Sequence, residues 1–156
     1  MGMYDRYKSL DEMSEGEKFW SHGRTVTETD CVIFTSLAGL KAPLFVDAEY
    51  ASKHGKFGKR LVPGLLTAAF TAGMMEDILG PYALAALELR ELKFLKPVFH
   101  NDTVNCIFTV QSIDHTSTQD TGVLTALAEM FKQDREKVFE WTGVFLMKRT
   151  KFDSEI

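Results

Sequence analysis

Pro63-Gly64-Leu65-Leu66-Thr67-Ala68-Ala69-Phe70-Thr71-Ala72-Gly73-Met74-Met75-Glu76-Asp77-Ile78-Leu79 is the stretch that decides the architecture of this chain. Proline suits the first turn of a helix, where its absent N–H costs nothing. Behind it the residues are small or apolar almost all round until Glu76 and Asp77. A helix with that composition is expected to be covered on every side. Gly80-Pro81 then stops it. The stretch is too short and too interrupted for the ~20 apolar residues of a membrane span.

What covers the helix is read from the residues that follow. From residue 86 onward the pattern turns to strands, with runs at Leu87–Phe94, Thr103–Asp114, Val123–Phe131 and Lys137–Lys148. Val104, Cys106, Phe108 and Val110 fall on one face by alternation, as do Phe139, Trp141, Phe145 and Met147. Gln133-Asp134-Arg135-Glu136 is a polar turn between the last two runs. Upstream, Arg24–Thr27 suits a first strand. A helix capped by Thr27 or Thr29 follows and ends at Gly39. Asp47 caps a short helix through Lys53, and 54–58 forms a loop. Helices first and strands afterwards describe an α+β domain, a curled antiparallel sheet around one long buried helix. Such a sheet keeps an open edge, and pairing with a second subunit is the simplest way to cover it.

The bulk numbers set limits. At 156 residues with no visible linker, the chain reads as one domain over 16–150 preceded by a loosely packed arm, 1–15. A net charge of −4 argues against a nucleic-acid protein. Cys31 and Cys106 have no metal-ligand or CxxC spacing, so no metal, resident cofactor or disulfide is expected. The N-terminus lacks an apolar leader core, which points to the cytoplasm and away from a membrane.

The order of these blocks resembles the MaoC-like branch of the hot-dog fold, the family of (R)-specific enoyl-CoA hydratases and 3-hydroxyacyl dehydratases. The resemblance rests on Gly23–Asp30, on Pro43-Leu44 and Val46-Asp47, on Pro63–Leu66, and on Phe94–Phe99 with Asp102-Thr103. It implies a CoA or acyl-carrier thioester as substrate or ligand, and a homodimer or a heterodimer with another hot-dog subunit. In that family one loop carries Asp, then Asn two residues on, then Pro, Leu and His, and the Asp and His hold the water that adds to the enoyl thioester. The matching positions here are Leu40, Ala42 and Phe45. The His that often precedes the helix glycine is Pro63.

Those departures fall on the proton-handling groups. Each positioned acid or base contributes ~10²–10⁴-fold, so losing both removes ~5 kcal/mol or more of transition-state stabilisation. One family element is retained: Gly64 matches the glycine whose N–H polarises the thioester carbonyl, at the positive end of a helix. Leu40, Phe45, Pro63, Leu65 and Leu66 are the expected walls of the acyl site. Lys56, Lys59 and Arg60 are candidates for the CoA phosphates. This describes a thioester holder without the hydratase dyad, possible as the non-catalytic half of a two-subunit hydratase. The alternative is an active hydratase, dehydratase or thioesterase with relocated residues, of which Asp47 and His54, with Ser36, are the nearest in sequence. Asp47 reads first as a helix cap, and His54 as a loop residue. Glu76 and Asp77 lie about 18 Å along the helix from Gly64.

Overall fold

The computed structural model describes residues 4, 6–118 and 120–152. Three short helices precede the long one: α1 (Glu28–Ala38), α2 (Pro43–Val46) and α3 (Ala48–His54). The long helix α4 (Gly64–Leu79) follows, then the main strands. Ahead of the helices stand two short strands, β1 (Lys18–Trp20) and β2 (Arg24–Thr25); of the run expected at 24–27 only the first two residues are strand, because Thr27 caps α1. Four long strands follow: β3 (Ala83–Phe94), β4 (Thr103–His115), β5 (Thr121–Lys132) and β6 (Lys137–Lys148). Every pairing is antiparallel, in the order β1-β4-β5-β6-β3, with β2 also on β4.

Local chemistry sets the helix ends. The Thr27 hydroxyl accepts from the Asp30 amide at 3.1 Å, and the Asp30 carboxylate accepts from the Thr27 amide at 2.8 Å. This reciprocal box satisfies two amides that the first turn would leave orphaned. Gly39 closes α1 at φ 67°, a left-handed conformation that costs glycine nothing. Asp47 accepts from the Tyr50 amide at 2.8 Å and caps α3.

Alternation along β4 and β5 sends Val104, Cys106, Phe108, Leu124, Ala128 and Met130 inward. There they share a core with Leu66, Phe70, Met74 and Met75 of α4. Burial holds the Cys106 thiol up at about 12, and burial with the carboxylates of Glu28 and Asp30 holds Cys31 at about 11. Neither is a nucleophile at neutral pH.

Two expectations are corrected here. The arm does not hang loose: Leu10 is completely buried, Met13 joins the core, and the Asp11 amide donates to the Arg149 carbonyl. Met1–Met3 and Asp5 of that arm lie outside the described residues. Second, α4 is covered on one side only. Leu66, Thr67, Phe70, Thr71, Met74 and Met75 are buried, whereas Leu65, Ala69, Ala72 and Gly73 are open. These four recur along one stripe of the helix, next to a strand that is itself uncovered. Almost all of β3 is exposed on both faces. The apolar composition of α4 and β3 exceeds what one copy of the chain can bury.

Candidate functional site

A groove of about 430 Å³ opens beside the first turn of α4. Gly64, Leu65 and Thr67 form its floor, Leu44, Phe45 and Phe57 one wall, and Phe94 to Val98 the other. The lining is apolar except for the backbone, the Thr67 hydroxyl and Lys96. No carboxylate or imidazole lines it among the described residues.

The helix start supplies the polar focus. Pro63 is the N-cap and contributes a carbonyl that accepts from the amides of Leu66 (2.9 Å) and Thr67 (3.3 Å). The amides of Gly64 and Leu65 have no acceptor among the described residues, as the geometry of a helix start dictates. Glycine at 64 lets a ring approach closely. A Cβ there would lie 2.8 Å from Cε1 and 2.9 Å from Cδ1 of Phe94. That ring is stacked on Phe139 with centroids 5.2 Å apart, so it stands as a wall directly over the glycine.

The expected wall residues separate. Phe45 and Leu65 line the groove. Leu66, the next residue on α4, is turned about 100° round the helix and belongs to the core. Pro63 is fully buried behind the cap and Leu40 is half-buried, and neither is among the groove-lining residues. Ala42 is exposed, as the residue before α2. Asp47 is the α3 cap. His54 lies in the last turn of α3, not in a loop, with its ring 5.3 Å from that of Tyr50. Ser36 lines a separate 240 Å³ cavity behind Phe45. Glu76 and Asp77 are exposed at the far end of α4.

The basic candidates also divide. Arg60 is committed to Glu28, to which it donates two parallel bonds of 2.8 Å each. That guanidinium holds the Glu28 carboxyl below its usual range. Lys59 lies 3.9 Å from the centre of the Phe99 ring and Lys56 lies 5.7 Å from that of Phe57. The two rings meet edge-on at 5.9 Å. This aromatic strip with its two ammonium groups links the groove, through Phe57, to a 340 Å³ cavity lined by Lys59, Arg60, Phe99 and His100.

Sequence reasoning passed over a carboxylate–imidazole couple. His100 Nε2 lies 3.4 Å from Glu28 Oε2, is buried, and makes no hydrogen bond. The couple faces the Lys59–Arg60 cavity and not the groove, so it does not replace an acid and base beside Gly64. His100 follows strand β3 in the connection to β4, where a histidine is ordinarily exposed. Its side chain is instead 15% exposed, because the β3–β4 connection folds back against α1.

Comparison with known proteins identifies the family and the fold. A family model of the MaoC like domain matches residues 12–130, and the chain belongs to that family. The uncharacterized protein YdeM of Bacillus subtilis (strain 168) is 32% identical over 146 residues, covering 90% of this chain and 99% of YdeM. The (R)-specific enoyl-CoA hydratase of Rhodospirillum rubrum is 31% identical over 105 residues, covering 67% of this chain and 70% of that enzyme. A Mycobacterium tuberculosis protein with a double hot-dog fold superposes with a TM-score of 0.82 at 20% identity, over 96% of this chain and 47% of that one. The α+β architecture expected from the sequence is thus a hot-dog fold, a curled six-stranded antiparallel sheet against one long helix. Among the described residues no helix is long and apolar enough to cross a membrane.

Proposed function

We propose that this chain holds an acyl thioester in the groove, with the thioester carbonyl on the Gly64 amide, and does not by itself hydrate or dehydrate it. One observation carries the reading: the groove combines a helix-start amide that has no acceptor with walls that, among the described residues, offer neither carboxylate nor imidazole. The amide and the helix dipole stabilise negative charge on a carbonyl oxygen. The dry walls suit an acyl chain. Phe45 occupies the place of the family's histidine and cannot take or give a proton. Lys56 and Lys59 are the candidates for the CoA phosphates, while Arg60, tied to Glu28, is a weaker one. The test is calorimetric titration with butyryl-CoA beside an absorbance assay with crotonyl-CoA. Binding without loss of the enoyl absorbance is expected. Turnover abolished by His100→Ala or Glu28→Gln would overturn the reading and favour relocated catalysis.

The partner in this reading is a second copy of the chain, joined through β3 and the open stripe of α4. The ladder between β3 and β6 is interrupted around Leu84, Leu87 and Glu91-Leu92, leaving Glu88-Leu89-Arg90 as a regular stretch. A two-fold axis perpendicular to a continuous sheet keeps inner side chains inner, so each residue near the axis must meet one of its own parity. With the axis at Leu89, Glu88 faces Arg90 of the other copy, and the reverse. Moving it to 88 or 90 sets like charges opposite each other, which destabilises a sheet. Glu88 and Arg90 are already paired within the chain at 2.6 Å, so the join would bring together four alternating charges. Leu65 and Phe94 on the open side of the groove are 57% and 53% exposed, and the second copy would close the acyl site there.

A second reading is a two-subunit hydratase in which another hot-dog unit supplies the Asp and His. It is favoured by the double hot-dog relative, of which this chain matches about half. Co-expression with a candidate partner that keeps those residues, followed by the crotonyl-CoA assay, separates the two.

A further inference from the structure

We infer that Thr67 is a second donor to the bound carbonyl, so that the thioester oxygen sits between the Gly64 amide and the Thr67 hydroxyl. This rests on the thioester reading above and adds a side chain to it.

Placement comes first. Thr67 is three residues past Gly64, so both lie on the same face of α4, with a rise between them of about 4.5 Å. The Cα–Cβ bond of a helical residue tilts toward the N-terminus, which brings the Thr67 side chain down toward the Gly64 amide. Both residues line the groove.

The state of the hydroxyl is the second observation. Thr67 is only 5% exposed, and the groove is the cavity it borders. Its hydroxyl has no hydrogen-bond partner among the described residues. The other two buried threonines in helices behave differently. Thr71 Oγ1 donates to the carbonyl of Thr67 at 3.0 Å, and Thr35 Oγ1 donates to that of Cys31 at 2.8 Å. The equivalent acceptor for Thr67 is the Pro63 carbonyl, which already takes two amides. Thr67 Oγ1 is not among the enclosed polar atoms left without a partner, which are His100 Nε2 and Trp141 Nε1 among the described residues, so the groove reaches it. A ligand carbonyl arriving at the Gly64 amide would find that donor open to it and gain a second bond.

The chemical requirement is an acceptor oxygen beside an apolar chain. An acyl thioester has one, and a thioether of the same length does not. Binding of butyryl-CoA and of S-butyl-CoA to the full chain would therefore read the contact directly. The wild-type protein should prefer the thioester. Thr67→Val keeps the shape and removes the hydroxyl, so it should weaken butyryl-CoA by about tenfold while leaving S-butyl-CoA unchanged. Thr67→Ser should keep the preference. Should Thr67→Val not fold, Thr67→Ala, which helices accept readily, makes the same comparison.

A Thr67→Val protein with wild-type affinity for both ligands would overturn the inference. A wild-type protein that binds both ligands equally would overturn the carbonyl contact as a whole, while leaving acyl binding standing. If neither ligand binds, the thioester reading itself fails, and this inference with it.

Discussion

Replacing Leu89 tests how the chain uses its uncovered strand. Leu89 is 51% exposed and lies on the inner face, opposite Gly143 of β6. Burying a leucine completely is worth ~1.5–3 kcal/mol, so about 1 kcal/mol per copy is still to be gained. At a two-fold axis the residue counts twice. Leu89→Ala should therefore cost a dimer about 2 kcal/mol, or about 30-fold in Kd. Leu89→Glu adds two carboxylates facing each other and should exceed about 100-fold. Sedimentation velocity over a concentration series reads both. A charge reversal separates the proposed register from loose apolar adhesion. Glu88→Arg alone should weaken the dimer, and adding Arg90→Glu should restore it, because the exchanged pair is again complementary. A Leu89→Glu protein as tightly dimeric as the wild type would refute the register. So would a double reversal no better than the single one.

Other consequences are as direct. Gly64→Ala puts a methyl group 2.8 Å from the Phe94 ring, so the ring must leave its stack on Phe139. Overpacking of this kind costs about 1–3 kcal/mol; urea unfolding should show the loss, and butyryl-CoA affinity should fall with it. The Glu28–Arg60 pair predicts an acid effect. Because Arg60 lowers the folded-state pKa of Glu28 below its ordinary 4.5, the pair's contribution is complete above that value. It is lost as pH falls through the lowered one. Wild-type stability should thus drop more between pH 6 and pH 3 than that of Arg60→Leu, and equal slopes would show that the pair carries nothing.

The sequence disclosed what short-range chemistry determines. The Gly39 stop, the Asp47 cap and the alternation in β4 each need only a few neighbouring residues, and the α1 cap was narrowed to Thr27 or Thr29, of which the structure uses Thr27. The groove was legible at Gly64 and Phe45, which both line it, because helix-start geometry and a loop pattern each single out one position. It was not legible at Leu65 and Leu66, because a helix apolar all round gives no sign of which leucine meets the groove and which meets the sheet. Thr67 was hidden for a related reason: a threonine in a helix is ordinarily satisfied by the carbonyl one turn back, and only the doubly used Pro63 carbonyl makes this one different. The breaks in β3 were invisible too. Ala83–Phe94 has leucines at both parities, and the register shifts arise from how β6 lies beside it. His100 and Glu28 are 72 residues apart in sequence, so only the folded chain brings them together.

The broken ladder of β3 has one more effect. An unkinked twelve-residue border would invite molecule after molecule to add on, as in a growing fibre. Here each irregularity twists the backbone away from a newcomer, and just three residues remain fit for a clasp. Such a border can be shared once and is then used up, which favours a finite assembly over an endless one.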